Sequence, residues 1–170
     1  TVLWTLEDVA GVLWTREVLE LPKTKFSVQR ERLYERLSRP RARRCCVDST
    51  GIGAQLAEEA RDRFGAVVEP VTFTVASKQE MAAQLRPRLE DRQVRVPVSD
   101  AIRRDLHSVK RVVTAAGNIR YDAERSEAGG THADRFWALA LASHAATGAV
   151  AGPVTYESVQ PARFARAGAW

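Results

Sequence analysis

Two runs of alternating apolar and polar residues open the chain and predict a β-hairpin. Residues 1–7 (TVLWTLE) and 12–21 (VLWTREVLEL) are rich in β-branched, aromatic and aliphatic side chains. The segment 8–11 (DVAG) between them has the length and the glycine of a hairpin turn. Pro22 ends the second run. We therefore expect two antiparallel strands at the start of the fold.

Beyond the hairpin, helical spacing of apolar residues alternates with short apolar runs. Residues 26–38 carry one apolar stripe, which predicts a helix that ends before Pro40. The pattern then predicts strand 45–47, helix 54–64, strand 66–73, a helix from 77 toward 92, a short strand at 94–98, helix 99–112, strand-like residues around 114–123 and helix 131–146. Residues 77–80 (SKQE) form the sequence of a capping box, and Pro87 predicts a break or kink.

This order of elements predicts the fold class. A hairpin followed by alternating strands and helices indicates an α/β domain with a mixed β-sheet flanked by helices. The 170 residues suit one domain with a sizeable core, which we assign to residues 1–147. Residues 148–170 lose the pattern and predict an extended or disordered tail.

Hydropathy and cysteine usage narrow the class of protein. No apolar run approaches the roughly 20 residues that a membrane-spanning helix needs, and no signal peptide is visible. Cys45 and Cys46 are neighbours on a predicted strand and point to opposite faces, so we expect no disulfide between them. Two reduced thiols fit a cytoplasmic protein. With two cysteines and three histidines, a structural zinc site has too few ligands.

The net charge of +5 makes nucleic acid a candidate partner. Almost all the cations are arginines, which bind phosphate as a planar fork. A GC-rich genome would equally produce an arginine-rich surface. The arginines at 39–44 precede strand 45–47, at the end of the sheet opposite Asp48. A better set of phosphate contacts is the predicted basic helix face of Arg103, Arg104, Lys110 and Arg111.

Asp48 is the first candidate for chemistry. It follows a buried strand and precedes a glycine-rich turn, and functional groups gather at the carboxyl ends of strands in α/β sheets. Gly51 and Gly53 fit a turn where backbone approaches a ligand or another strand. The alternative is that Asp48 or Ser49 only caps the next helix. The chain has no G-x-x-x-x-G-K-[ST] motif, which excludes a P-loop ATP site.

Asp134 is the second candidate. At helical spacing it shares a face with Trp137, Ala138 and Leu141, and that face is expected to pack on the sheet. A carboxylate at the end of a buried face needs a metal ion or a cationic partner, because an unpaired buried charge is costly. The alternative is that residues 131–134 form a capping box.

The two aspartates together predict a site for hard cations. Oxygen-only ligands suit Mg²⁺ or Mn²⁺. Two such ions, about 3.5–4 Å apart, cleave phosphodiesters by activating water and stabilising the leaving oxygen. Lys78 and His132 are further candidates for phosphate contacts, although an exposed lysine and a surface or capping histidine explain them equally. His107 and His144 are interpreted as ordinary helix residues.

Three segments carry a resemblance to a known family. Residues 45–53 (CCVDSTGIG), 73–81 (FTVASKQEM) and 131–142 (THADRFWALALA) resemble the C-terminal nuclease domains of phage large terminases, including those of Mu-like prophages. The resemblance spans roughly residues 1–146. It implies an RNase H-like fold that cuts concatemeric DNA with metals held by three acids. Asp48 matches the second acid and Asp134 the third, as catalytic residues and metal ligands.

The first acid of that family is expected on a strand upstream of Thr1, so the first strand of the domain is predicted to be missing here. Asp8 is no substitute, since it lies in the turn at the far end of the hairpin. The resemblance implies double-stranded DNA as substrate, and an N-terminal ATPase domain, the small terminase and the portal as partners in the bacterial cytoplasm. Two alternatives stay open: another RNase H-like nuclease of the resolvase or transposase type, and a non-catalytic DNA-binding or motor-docking module.

Overall fold

The computed structural model describes residues 1–113, 119–123 and 133–148. Within these ranges the chain forms five α-helices and seven strands, which are β1 (Val2–Val9), β2 (Val12–Glu20), α1 (Phe26–Leu37), β3 (Cys45–Asp48), α2 (Gly53–Phe64), β4 (Val68–Val71), α3 (Val75–Glu90), β5 (Val94–Arg95), α4 (Asp100–Ser108), β6 (Val109–Val113), β7 (Ile119–Ala123) and α5 (Asp134–Thr147). The predicted mixed α/β fold is confirmed.

The predicted hairpin is present as β1 and β2, which pair antiparallel with one irregularity in register between Thr5 and Leu6. Ala10 and Gly11 both have positive φ at the turn, the conformation of tight hairpin turns. The backbone N–H of Gly11 donates to Oδ1 of Asp8 at 2.8 Å. Asp8 therefore has a local role in the hairpin turn, as the sequence predicted.

The strands form three small sheets in the described part of the chain. The first has the order β1–β2–β5, with β5 parallel to β2. The second joins β3 to β4 in parallel, from Cys45 opposite Val68 to Asp48 opposite Val71. The third is the antiparallel pair β6–β7. Because β3 and β4 run in the same direction, the loops that follow them meet at one edge.

Helix α5 is central to the packing, which explains why its sequence is apolar on almost every side. It contacts β1, β3, α3 and α4. The larger core gathers around Leu13, Leu85, Trp137 and Leu139. A second core lies under α1 and α2 and is formed by Leu33, Leu37, Leu56, Ala60 and Val68. Burial of this kind contributes about 1.5–3 kcal/mol for each large aliphatic side chain.

The predicted helix 99–112 is wrong in its last four residues. Helix α4 ends at Ser108, and Val109–Val113 instead pairs with Ile119–Ala123. The sequence VKRVV is rich in β-branched residues, and pairing with a partner strand decides the outcome. The strands predicted at 66–73 and 94–98 are also shorter than expected, at Val68–Val71 and Val94–Arg95.

The start of α3 also differs from the prediction. The helix begins at Val75, with Thr74 as N-cap. The capping box therefore joins Thr74 to Ser77: Ser77 N–H donates to Thr74 Oγ1 at 3.0 Å, and Thr74 N–H donates to Ser77 Oγ at 2.8 Å. The helix continues through Pro87 to Glu90, so the predicted break does not occur.

Two further predictions lie outside the described residues. These are residues 114–118 of the strand-like stretch around 114–123 and, apart from Gly148, the tail at 148–170. Among the helices that the structure describes, none combines the length and the apolar character needed to cross a membrane.

Candidate metal centre

Asp48 is the last residue of β3 and lies where that strand meets the turn into α2. Its Oδ1 accepts a hydrogen bond from the backbone N–H of Thr50 at 2.9 Å. This bond holds the carboxylate within its own turn. Helix α2 has Ile52 as N-cap and no side-chain capping bond. The interpretation of Asp48 or Ser49 as a simple cap of α2 is therefore not supported.

The loops after β3 and β4 are bonded to each other beside Asp48. The backbone N–H of Ser49 donates to Val71 O at 2.9 Å, extending the strand pairing by one residue. The backbone N–H of Phe73 donates to Thr50 Oγ1 at 3.0 Å. The Ser49 and Thr72 hydroxyls are 3.1 Å apart. These bonds fix the backbone that carries Asp48, which is what a preorganised ligand requires.

Gly51 and Gly53 shape this turn in different ways. Gly51 has φ +59°, a conformation that favours glycine. A Cβ at Gly53 would overlap the carbonyl group of Asp48. The sequence predicted a close backbone approach here, and for Gly53 the neighbour is the strand end that carries Asp48.

Asp134 is the first residue of α5, and its side chain is 51% exposed. The argument that it is a buried carboxylate in need of a partner is therefore wrong, although Ala133, Phe136 and Trp137 around it are buried in the core. The backbone nitrogen of Thr1 lies 3.9 Å from Asp134 Oδ2. Helix α5 has Ala133 as N-cap in the left-handed conformation, with no side-chain capping bond.

Asp48 and Asp134 line the same cleft, which has a volume of about 620 Å³. Gly53 and Lys78 contribute to its wall, together with Trp137, Ala138 and Leu141 on the predicted face of α5. Residues that are 86 positions apart in sequence thus share one cavity. In the described part of the chain, however, no cluster of three or more potential metal ligands includes either aspartate.

Lys78 lies in the first turn of α3, and its ammonium group stacks on two aromatic rings. Nζ is 5.2 Å from the centre of the Phe73 ring and 4.9 Å from that of Trp137. Such cation–π contacts stabilise an ammonium group that is held away from bulk water. The side chain is therefore oriented within the cleft and carries a positive charge there.

The predicted basic helix face is not formed. Arg103 and Arg104 are exposed on α4, whereas Lys110 and Arg111 are exposed on β6. Consecutive residues of a strand point to opposite sides, so Lys110 and Arg111 cannot belong to one face. His132 lies outside the described residues.

Part of the arginine cluster at 39–44 is structural. Arg39 pairs with Glu17 at 3.3 Å. The Arg44 guanidinium donates to Glu69 from Nε at 2.8 Å, and to the carbonyl oxygens of His144 and Ala145 at 3.3 Å each. Arg44 therefore bridges β4 and the C-terminal end of α5, where a cation is favoured.

Sequence reasoning missed a second group of side chains, formed by Cys46, Glu69 and His144. One potential ligand atom from each residue lies within 4.8 Å of those of the other two. Burial raises the pKa of Cys46 to about 11. The three residues are far apart in sequence, so no local motif could have indicated the cluster.

Comparison with known proteins identifies the family. The family model of the terminase RNaseH-like domain matches residues 1–146. The chain belongs to this family. No curated protein matches the chain. Membership of the terminase family confirms the resemblance seen in the three sequence segments.

Solved structures support the same fold. The chain is similar to the large terminase nuclease from thermophilic phage G20c, with a TM-score of 0.63, 21% identity and coverage of 84% of this chain and 82% of that chain. The cobalt-bound structure of that nuclease matches with a TM-score of 0.59, 25% identity and coverage of 84% and 81%. The magnesium-bound structure matches with a TM-score of 0.59, 23% identity and coverage of 84% of this chain and 81% of that chain. The terminase domain described here thus has the fold of a terminase nuclease.

Proposed function

We propose that this domain is the metal-dependent endonuclease of a DNA-packaging terminase, which cleaves concatemeric double-stranded DNA by two-metal hydrolysis. The observation that carries the proposal is the common cleft of Asp48, Lys78 and Asp134. In this role the domain acts in the bacterial cytoplasm, with an ATPase domain, the small terminase and the portal as partners.

The donor set of the cleft fits Mg²⁺ or Mn²⁺. Asp48 keeps Oδ1 bonded to Thr50 N–H, so that the carboxylate is held in one orientation. Asp134 is half exposed at the start of α5 and is accessible to an ion with its water shell. Carboxylate oxygens with remaining water ligands satisfy both ions. The G20c nuclease has been crystallised with cobalt and with magnesium, which agrees with a divalent cation here.

Each residue has a defined part in the proposed reaction. Asp48 and Asp134 would hold the ions, whose contribution would be to activate the attacking water and to stabilise the leaving oxygen. Lys78, fixed on Phe73 and Trp137, would neutralise the scissile phosphate. His132 stays a candidate for a further phosphate contact. Gly51 and Gly53 would keep the Asp48 turn compact.

Four basic residues outside the cleft are proposed to bind the DNA backbone: Arg103, Arg104, Lys110 and Arg111. All four are exposed. Because they lie on two elements, we expect them to contact phosphates at separate points rather than as one stripe. Contacts of this kind supply affinity without sequence preference.

We place the first acid of the family on an additional strand that would lie in the cleft. Residues 1–5 and residues 45–48 both line the cleft. In the described part of the chain, β1 is an edge of its sheet, and β3 has one edge that β4 does not occupy. A strand between them would join the two sheets and bring a side chain to Asp48 and Asp134. We propose residues 1–147 together with this strand as the nuclease domain.

The test uses the full-length parent terminase in plasmid cleavage with Mg²⁺ and Mn²⁺. We expect Asp48→Asn and Asp134→Asn to abolish cleavage while the thermal unfolding midpoint stays unchanged or rises. Asp62→Asn, which alters an exposed carboxylate outside the cleft, is the matched control and should cleave normally. Full cleavage by either cleft variant would overturn the proposal. Wild-type protein that shows no thermal stabilisation by either ion would favour the binding-module alternative.

A further inference from the structure

A second set of ligating side chains lies at the other end of α5 from Asp134. Cys46 on β3 and Glu69 on β4 are direct partners in the parallel pair, so their side chains lie on the same face of the sheet. His144, in the last turns of α5, reaches that face. Since His144 is ten residues beyond Asp134, the two ends are about 15 Å apart along the helix.

Glu69 and His144 each have one polar atom close to a residue outside the cluster, which leaves the other polar atom of each side chain facing the cluster. Glu69 Oε2 accepts the hydrogen bond from Arg44 Nε at 2.8 Å, while Glu69 Oε1 lies 4.0 Å from His144 Nε2. His144 Nδ1 is 3.4 Å from Gln84 Oε1. When Nδ1 donates to that oxygen, Nε2 carries the lone pair. Metal-bound histidines are held in this way by an acceptor on the second ring nitrogen.

The chemistry of the three ligands differs from that of the aspartate cleft. A thiolate, an imidazole and a carboxylate form a set that suits Zn²⁺ and does not suit Mg²⁺. Zinc bonds of about 2.0–2.3 Å place tetrahedral ligands roughly 3.3–3.7 Å from one another. The ligand atoms here lie within 4.8 Å, so small side-chain rotations would bring them to that spacing. The cysteines and histidines of the chain alone are too few for a zinc site, but here the Glu69 carboxylate supplies the third ligand.

We propose that Cys46, Glu69 and His144 form a zinc site, with water as the fourth ligand. Binding a cation displaces the thiol proton that burial otherwise retains. The ion would fasten α5 to the β3–β4 sheet. Because α5 carries Asp134 and β3 carries Asp48, zinc would fix the relative position of the two aspartates without taking part in the cleavage.

Cys45 provides a matched control. It is adjacent to Cys46 in sequence but packs with the second core, beneath α1 and α2, whereas Cys46 packs with the first. If metal bound to either thiol without selection, substitution of Cys45 and substitution of Cys46 would weaken binding equally. At the proposed site only substitution of Cys46 should weaken binding.

The test is titration of the metal-free chain with Co²⁺ as a spectroscopic substitute for Zn²⁺. We expect a thiolate-to-cobalt charge-transfer band in the near ultraviolet that Zn²⁺ abolishes and excess Mg²⁺ does not. The band should persist in Cys45→Ser and in Asp48→Asn, and disappear in Cys46→Ser. No band in the wild type, or a band that survives in Cys46→Ser, would overturn the proposal.

A second measurement covers the case in which Cys46→Ser does not fold. Competition with a chelator gives the Zn²⁺ affinity of His144→Ala, Glu69→Gln and Gln84→Ala. We expect the first two variants to lose most of the affinity, and Gln84→Ala to bind about 10-fold more weakly, because Gln84 only orients the imidazole. Wild-type affinity in His144→Ala would contradict the site. The result is independent of nuclease activity and of the proposed function.

Discussion

Gly53 packs against the backbone of Asp48 so closely that a Cβ at position 53 would overlap the Asp48 carbonyl oxygen. The glycine at the start of α2 is thus tied to the position of a proposed metal ligand. The opposing atoms are backbone, which cannot rotate away. Any larger residue must displace either the end of β3 or the first turn of α2.

We predict that Gly53→Ala lowers both stability and metal affinity. The overlap should cost about 1–3 kcal/mol in the free energy of unfolding, as overpacking does elsewhere, and Mn²⁺ should stabilise the variant less than the wild type. Urea unfolding with and without Mn²⁺ measures both effects. Gly11→Ala, in the hairpin turn away from the cleft, is the control: with φ +83° and open space around it, it should cost about 1 kcal/mol through strain alone. Equal metal responses in the two variants would refute a role for Gly53 in placing Asp48.

Lys78 offers a test of the phosphate contact. In Lys78→Met the aliphatic stem still packs on Phe73 and Trp137, but the ammonium group is lost. We predict nearly unchanged stability and weaker DNA binding, with the slope of log affinity against log salt reduced by about one. Fluorescence anisotropy of a labelled duplex across a KCl series measures that slope. Lys25→Met, at an exposed lysine outside the cleft, should leave it unchanged; an unaltered slope in Lys78→Met would remove this residue from the site.

Asp105 anchors the start of α5, and we predict that its loss is costly. The carboxylate is 3% exposed and accepts from Arg135 N–H at 3.1 Å and from Arg135 Nη1 at 3.2 Å. Asp105→Ala should lower the free energy of unfolding by on the order of 3 kcal/mol, because the Arg135 backbone N–H and Nη1 lose their buried acceptor. Chemical denaturation gives the value.

Glu20 is the control for that prediction. It pairs with the same guanidinium from the solvent side and is 43% exposed. The hydrogen bond that Arg135 donates to Glu20, together with the one that it donates to Asp105, raises the pKa of Arg135. The guanidinium stays charged when either acid is removed, because an arginine is not deprotonated in proteins. Glu20→Gln should cost less than about 1 kcal/mol. A larger loss in Glu20→Gln than in Asp105→Ala would show that the exposed pair governs the helix start.

The sequence was informative wherever the signal was local. Asp48 and Gly53 are five positions apart, and an aspartate between an apolar run and a glycine turn indicates a strand end without further context. The face of α5 that contains Trp137 follows from helical spacing in the same way. The exposure of Asp134 does not, because spacing cannot show which residues of the first turn of a helix other elements cover: Phe136 and Trp137 are buried, whereas Asp134 is not.

Non-local pairing accounts for what the sequence did not reveal. Lys110 and Arg111 belong to a segment whose spacing allows a helix, and only pairing with Ile119–Ala123 makes it a strand. Glu69 meets Cys46 through the register of two parallel strands. His144 reaches them through the packing of α5 on that sheet. Each of these relationships depends on tertiary contacts that no short segment encodes.

Arg44 supplies the last prediction, since it distinguishes a structural arginine from a DNA-binding one. Its guanidinium is 17% exposed and joins Glu69 to the carbonyl oxygens that end α5. Arg44→Met removes charge-assisted hydrogen bonds worth about 1.5–3 kcal/mol each and leaves Glu69 partly uncompensated. We therefore expect a loss of on the order of 3 kcal/mol in the free energy of unfolding, with no change in the salt dependence of DNA binding.

Arg43→Met is the matched control, because Arg43 is the exposed neighbour of Arg44 in the same loop. The free energy of unfolding of Arg43→Met should differ from that of the wild type by less than about 0.5 kcal/mol. If Arg43→Met alone reduces the salt slope, the loop contributes to DNA binding through its exposed arginines while Arg44 maintains the fold. If Arg44→Met weakens DNA binding at unchanged stability, the assignment of Arg44 to the α5–β4 junction is wrong.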